Sequence, residues 1–254
     1  MRKQWLRAGA LAVCLAFSVP AAAYAREEGQ ASGEEQEAGL RAAMDRTAGL
    51  TSFDWSGDVS ARYSIRGLTM TVGQQTRFQA SQAGTADMTA LRRDVVSALG
   101  AEEETVSFYT GGCYYGEDYG FPMKNQMDPD AALSAMNGFF LTRMGGGLCD
   151  VLAADFSAPA VTEEGEYAVY TYVADAGLLA ELSAEEEEQY SVFALQFYVS
   201  PDGYVSREKM EVRFSGTEGD QPYELITYID NRINSSGEEV SISLPSTDGY
   251  REWN

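Results

Sequence analysis

Carboxylates are the commonest reactive groups in this chain, and three places concentrate them: Asp128 with Asp130, the run Glu102, Glu103, Glu104, and the run from Glu185 to Glu188. Two facing carboxylates can act as general acid and base on a glycosidic bond, and several together can hold a hard cation. Their settings point elsewhere. Asp128-Pro129-Asp130 reads as a helix start, with Asp128 as N-cap, Pro129 at the first helical position and Asp130 facing the positive end of the dipole. The two glutamate runs fall at turns or exposed helix ends. A calcium loop needs oxygens at alternating positions around a glycine turn, and no such run exists here. The chain contains no histidine, which removes Ser-His-Asp and Cys-His catalysis and every zinc site that uses imidazole. Gly145-Gly146-Gly147 is not followed by Lys-Ser or Lys-Thr and is not a phosphate loop. No catalytic residue, metal or cofactor is assigned. A hydrolase with carboxylates from separate strands stays open as the weakest of three readings.

The termini and the charge set the compartment. Arg2, Lys3 and Arg7 precede an apolar run from Ala8 to Val19. Pro20 breaks that run, and Ala23-Tyr24-Ala25 is an A-x-A cleavage signal. Residues 1–25 are therefore expected to be a signal peptide cut after Ala25. The expectation is an exported protein, extracellular or in the cell envelope, soluble after cleavage and without stable membrane insertion. The formal charge is −21, with 39 acidic against 18 basic residues, and loss of Arg2, Lys3 and Arg7 takes it to −24. Such a surface excludes nucleic acid as a partner, because phosphate binding needs cations. Of the three cysteines, Cys113 and Cys149 survive cleavage. In an exported chain they can close a disulfide, or both can be buried thiols that behave as small hydrophobes.

The elements that must position any site begin at residues 52–65. There the odd positions read Phe53, Trp55, Gly57, Val59, Ala61, Tyr63, Ile65, and the even ones are all serine, aspartate or arginine. Period-two alternation of this length is a strand with one dry and one wet face. The strand is expected to run on past Gly67 through Leu68, Met70 and Val72 and to turn at Gly73-Gln74. Residues 75–83 then return. Upstream, residues 26–39 are acidic and small and read as a flexible linker or the frayed start of a helix. From residue 34 to 48 a helix emerges with Leu40, Ala43, Met44 and Thr47 on one face. Residues 85–99 fit strand or helix, and their place in a run of hairpins inclines the reading to strand. Residues 105–115 form a hairpin around Gly111-Gly112. Residues 118–127 read as loop, followed by the helix at Asp128 and a joint at Gly145-Gly146-Gly147.

In the second half, residues 167–173 are a strand. Asp175 caps a helix to Leu182, and Ser183 starts another. Four strands follow at 190–200, 204–214, 223–234 and 239–244. Short connections between them make antiparallel neighbours. Phe193, Leu195, Phe197 and Val199 share one face, as do Met210, Val212 and Phe214, while Arg207, Lys209, Glu211 and Arg213 form a solvated one. Residues 40–254 are expected to be a single domain.

The order of these pieces resembles the LolA/LppX-like group of exported proteins, in particular uncharacterised members from Gram-positive bacteria. The residues that carry the resemblance are F-x-W-x-G-x-V-x-A-x-Y from Phe53, Tyr109-Thr110-Gly111-Gly112-Cys113-Tyr114-Tyr115, Ser200-Pro201-Asp202-Gly203-Tyr204-Val205 and Val240-Ser241-Ile242-Ser243-Leu244-Pro245. The resemblance implies an α+β fold, mainly antiparallel β: a strongly curved open half-barrel sheet with short helices on its concave face. It also implies a space between sheet and helices that in relatives holds acyl chains of lipids or lipoproteins. Relatives are often lipid-anchored, whereas here Val13 precedes Cys14 and spoils a lipobox.

Three functions follow. The first is a non-enzymatic binder of a lipid or other apolar ligand, with Phe53, Trp55, Val59, Tyr63, Phe78 and Phe108 lining the cavity from the first half and Tyr114, Phe193, Phe197, Met210, Phe214 and Leu225 from the rest. The second is an envelope interaction module that binds a protein partner and no ligand. The third is the hydrolase. An apolar cavity of a few hundred cubic ångströms favours the first, and a filled core with exposed apolar residues the second.

Overall fold

The computed structural model describes residues 31–118, 120–137, 140–186, 188–218, 220–237 and 240–252. The expected signal peptide and its cleavage site lie outside these residues. Twelve strands form one open sheet. In chain order they are β1 (Phe53–Ile65), β2 (Leu68–Ser81), β3 (Thr89–Ala98), β4 (Ala101–Thr110), β5 (Cys113–Asp118) and β6 (Phe121–Gln126), then β7 (Ala160–Glu164), β8 (Tyr167–Val173), β9 (Gln189–Val199), β10 (Val205–Glu218), β11 (Gln221–Ser236) and β12 (Arg251–Glu252). The spatial order is β12-β6-β5-β4-β3-β2-β1-β11-β10-β9-β8-β7. Every pairing is antiparallel except β12 on β6. Helices α1 (Ala31–Ala48), α2 (Pro129–Asn137), α3 (Gly147–Asp155) and α4 (Ala176–Glu186) and a 3-10 turn at Leu141–Met144 complete the described elements. This is the antiparallel half-barrel with short helices that the sequence suggests.

β1 stands at the centre, paired to β2 on one side and β11 on the other, so it joins the two halves of the chain. Its odd residues from Phe53 to Ala61 are buried, as alternation requires. The inner face, roofed by helices, carries two clusters. One packs Leu40, Met44, Leu148 and Leu152 of α1 and α3 against Phe197, Met210 and neighbouring strand residues. The other packs Ala132 and Met136 of α2 and Phe140 against Phe53, Trp55 and Phe78. A third cluster lies on the outer face, where Ile242, Leu244 and Tyr250 cover Leu91, Phe108 and Tyr115. Full burial of each large aromatic contributes roughly 1.5–3 kcal/mol, so these clusters hold the sheet to its cover.

Several expectations change. β1 does not continue to Val72: the chain reverses at Arg66 (φ 54°) and Gly67 (φ 73°). Two consecutive left-handed residues make the tight turn whose twist matches a hairpin. Gly73 therefore lies inside β2, where a Cβ would come within 2.7 Å of Ser97 Oγ. Residues 31–39 belong to α1, the helical of the two readings for this stretch. Gln36, Glu37 and Ala38 are strong helix formers, and Gly39 passes so close to the Tyr170 hydroxyl that an added Cβ would sit 3.0 Å from it. Most of the expected loop at 118–127 is strand β6, because its backbone pairs with β5. α4 runs through Ser183, whose Oγ donates to Leu179 O (2.6 Å), so no second helix starts there. Residues 240–244 form no strand; they cross the outer face, with Ser241 O accepting from Gln79 Nε2 (3.5 Å). Residues 85–99 contain strand β3, and the Gly111-Gly112 hairpin and the Asp128 cap (Asp130 N to Oδ1, 2.9 Å) are as expected. Both cysteines are free. Cys149 lies 3.4 Å from Met44 Sδ on the inner face, while Cys113 packs against the outer cluster, so opposite faces of the sheet separate them.

Candidate functional site: the inner face and its polar row

The inner face is apolar at both ends and polar across its waist. Register partners run from Asp94 on β3 to Thr76, Gly57, Asn231, Glu208 and Phe197, one residue per strand. Glu208 is 4% exposed. Its carboxyl accepts from the backbone N–H of Leu141 (2.8 Å) and Thr142 (2.9 Å) and from Asn231 Nδ2 (2.7 Å). Those two N–H groups open the 3-10 turn and have no partner within it. Phe140, which precedes the turn, offers no side-chain cap, so Glu208 caps it from across the sheet. Burial pushes the Glu208 carboxyl above its ordinary range, against the opposing pull of these hydrogen bonds. Gly57 makes room: a Cβ there would overlap Asn231 Oδ1.

At the other end of the row, Asp94 accepts from Arg92 Nε (2.6 Å), Thr76 Oγ1 (2.6 Å) and Gln74 Nε2 (2.9 Å). Burial pushes this carboxyl up, but Arg92 and the two neutral donors outweigh it and hold it below the usual range. Arg92 also donates to Met136 O (2.8 Å), one of the last carbonyls of α2. The roof segment from α2 to the 3-10 turn is thus clamped by Arg92 at one end and by Glu208 at the other. Between the clamps Phe140 inserts its ring 4.7 Å from Trp55 and 6.4 Å from Phe78, and Asn137 Nδ2 donates to Phe140 O (3.2 Å). The void beside Trp55, Phe140, Glu208 and Asn231 is about 10 Å³, which suits one water rather than an acyl chain.

Eleven of the twelve residues named from the sequence lie on this face, divided by the row. Phe53, Trp55 and Phe78, with Tyr114 beside them, belong to the α2 cluster. Val59, Phe197, Met210, Phe214 and Leu225 belong to the α1–α3 cluster, and Tyr63 and Phe193 pack against it half-buried. Phe108 does not join them. It pairs with Leu91 and Tyr115, stacks on Tyr115 at 4.5 Å and faces outward, while its neighbour Tyr109 takes the inner position. Hydrophobicity alone could not choose between adjacent aromatics.

The residues not foreseen are Glu208, Asn231, Asp94, Thr76 and Arg92. A signal existed for one of them: Glu208 occupies an even position two before Met210, Val212 and Phe214, where an apolar face should carry no charge. Its partners are distant in sequence and left no local mark. Asp94 and Glu208 are four strand spacings apart, about 19 Å along the sheet, too far for the paired work of a glycosidase. Of the acidic runs, Glu102 to Glu104 lie exposed on β4, and Glu188 accepts from the Tyr223 hydroxyl. Among the described residues no group of three side chains is placed to hold a metal ion, and no helix is long and apolar enough to cross a membrane.

No family model matches the chain, and no curated protein matches it in sequence. Solved structures do resemble it. LprF from Mycobacterium bovis matches with a TM-score of 0.40 and 13% identity, over 84% of this chain and 98% of that one. A DUF1329 family protein from Desulfovibrio piger matches at 0.25 and 12%, over 82% and 94%. A putative outer membrane lipoprotein-sorting protein domain from Vibrio parahaemolyticus matches at 0.20 and 10%, over 82% and 95%.

Proposed function

We propose that this protein is an exported, non-enzymatic carrier that holds a lipid or other apolar ligand between the inner face of the sheet and its helical roof. One observation carries the reading. A broad apolar face, bearing Phe53, Trp55, Phe78, Phe197 and Phe214, is closed over its waist by a short segment anchored through a few polar contacts to Glu208 and Arg92. The packed arrangement is then the closed form, and a ligand enters by displacing Phe140 and the roof rather than by filling a standing cavity. Native mass spectrometry of protein purified without detergent, followed by solvent extraction, tests this. A stoichiometric apolar species, or saturable uptake of a fluorescent fatty acid that Phe197→Ala/Phe214→Ala abolishes, is the expected result. A clean unliganded mass with no uptake overturns it, as does full uptake by the folded double variant.

The second reading is an envelope module that binds a protein. By the criterion set from the sequence, the filled inner face, with about 10 Å³ beside Trp55, and the exposed Leu68 (74%) and Leu99 (81%) at hairpin ends favour this reading, whereas the carrier requires the roof to open. Leu99 also adopts a left-handed backbone (φ 53°) that a leucine resists. Loss of a co-purifying partner on Leu68→Ser/Leu99→Ser, with ligand uptake absent, would favour it.

A further inference from the structure

We infer that the outer face carries a binding trough for an uncharged oligosaccharide chain, laid across the strands and stacked on Tyr228. Tyr228 is 43% exposed at the middle of the sheet. In one direction its cross-strand neighbours are Ser60, Gly73 and Ser97; in the other they are Glu211, Ala194 and Val173. Seven strands thus contribute one continuous row, about 29 Å long at the usual strand spacing. The small residues leave the row low, and a cleft opens on each side of the tyrosine. One, of about 350 Å³, includes Ser60, Gly73, Gln75 and Ser97. The other, of about 460 Å³, includes Thr171, Ala194, Gln196 and Lys209. Tyr228 and Asp230 line both, so the two form one trough with the aromatic ring at its centre.

The chemistry of the walls selects the ligand. Tyr228 is positioned: its hydroxyl accepts from Arg213 Nη2 (3.0 Å), and Arg213 Nε donates to Glu211 (2.6 Å). A tethered ring offers a flat apolar platform at little conformational cost, which suits the C–H face of a pyranose. The parallel row beside it, on the same outer face, reads Gln75, Asp58, Asp230, Lys209, Gln196 and Thr171. Its amides, hydroxyl and carboxylates can donate to and accept from sugar hydroxyls. Three cations beside the trough have partners: Arg207 pairs with Asp230 (2.5 Å), Arg232 with Asp58 (3.7 Å), and Lys209 donates to the Tyr198 hydroxyl (2.9 Å). Around the trough Asp58, Asp230, Glu211 and Glu102 balance Arg207, Arg232, Lys209 and Arg213, so it is no trap for an anionic polymer, yet it is spared the repulsion that a −21 chain exerts elsewhere. A protein partner fits less well, because the centres of protein interfaces are depleted of charged residues and this trough is lined with them.

Isothermal titration of the full chain with chitohexaose and, separately, cellohexaose tests the assignment. The expected result is saturable binding of at least one of them, weakened about tenfold by Tyr228→Ala and kept within about twofold by Tyr228→Phe, which retains the ring. Ser60→Arg, which fills the trough from the neighbouring strand, should abolish it. All three substitutions are at the surface, and unchanged thermal melting checks that they fold. No heat from either sugar at millimolar concentration overturns the proposal. So does binding that survives both Tyr228→Ala and Ser60→Arg. A photo-crosslinker at position 228 that captures a protein while neither sugar binds overturns it in favour of a protein surface. Fatty-acid uptake at the inner face is read separately, so either site can fail without the other.

Discussion

The two faces of the sheet use the same strands and the same alternation, yet they hold polar groups in opposite ways. On the inner face a few polar side chains cross the waist, and Glu208 alone serves three donors at 2.7–2.9 Å. On the outer face of the central strands charges are frequent and are paired at half-exposed positions, as Arg207 with Asp230 and Arg213 with Glu211. Water can replace a partner on the outer face and cannot on the inner one. A polar residue in a dry row must therefore be matched to a specific distant group, while one in a wet row needs only an agreeable neighbourhood. The outer face keeps an exception in Asp54, which is 5% exposed and accepts from Arg77 (2.5 Å), Gln79 (3.0 Å) and Asn234 (3.2 Å).

The sharpest break of this contrast is Glu208→Ala. It strands two backbone N–H groups and Asn231, and should cost about 3–5 kcal/mol in urea denaturation, with the roof loosened first in hydrogen exchange. Gly57→Val pushes a side chain into the Asn231 amide from below and should cost about 1–3 kcal/mol by thermal melting.

The pH profile sharpens the comparison further. The Glu208 carboxyl is raised in the folded protein, so its contribution is fully present below its ordinary value of 4.5 and is lost as pH rises through the raised one. Asp54, Asp94 and Asp230 are lowered, so theirs is present above 3.8 and is lost as pH falls through their depressed values. Stability should therefore rise as pH falls through the raised Glu208 value and drop again in stronger acid, and Glu208→Gln should flatten the first slope while leaving the second. An acid-side gain in unfolding free energy that Glu208→Gln leaves unchanged, or no such gain at all in the unsubstituted protein, would contradict the raised carboxyl.

Outer-face changes should be small. Arg232→Ala removes a 3.7 Å pair between half-exposed groups and should shift stability by less than about 0.5 kcal/mol. An effect of the inner-face size there would mean that the two faces are not so different.

What could be read in advance follows from range. β1, the Gly111-Gly112 turn, the Asp128 cap and the buried face of α1 depend on residues within a few positions of one another, and alternation, φ preference and capping write these directly into the chain. The reversal at Arg66-Gly67 was missed because arginine is not a usual left-handed residue; the one local mark was that the apolar set shifts from odd positions up to Ile65 to even positions from Leu68. Strand β6 was missed because it carries a proline and few β-formers, and only its pairing with β5 makes it a strand. The choice of Tyr109 over Phe108 for the inner face depends on which side the roof covers. The clamp depends on Glu208 meeting Leu141, 67 residues away, and on Arg92 meeting Met136, 44 away. By itself the sequence determined the acidity, the absence of imidazole chemistry and the local elements. Only the tertiary structure decided which polar groups are dry, because dryness is a property of what folds over a residue and not of the residue.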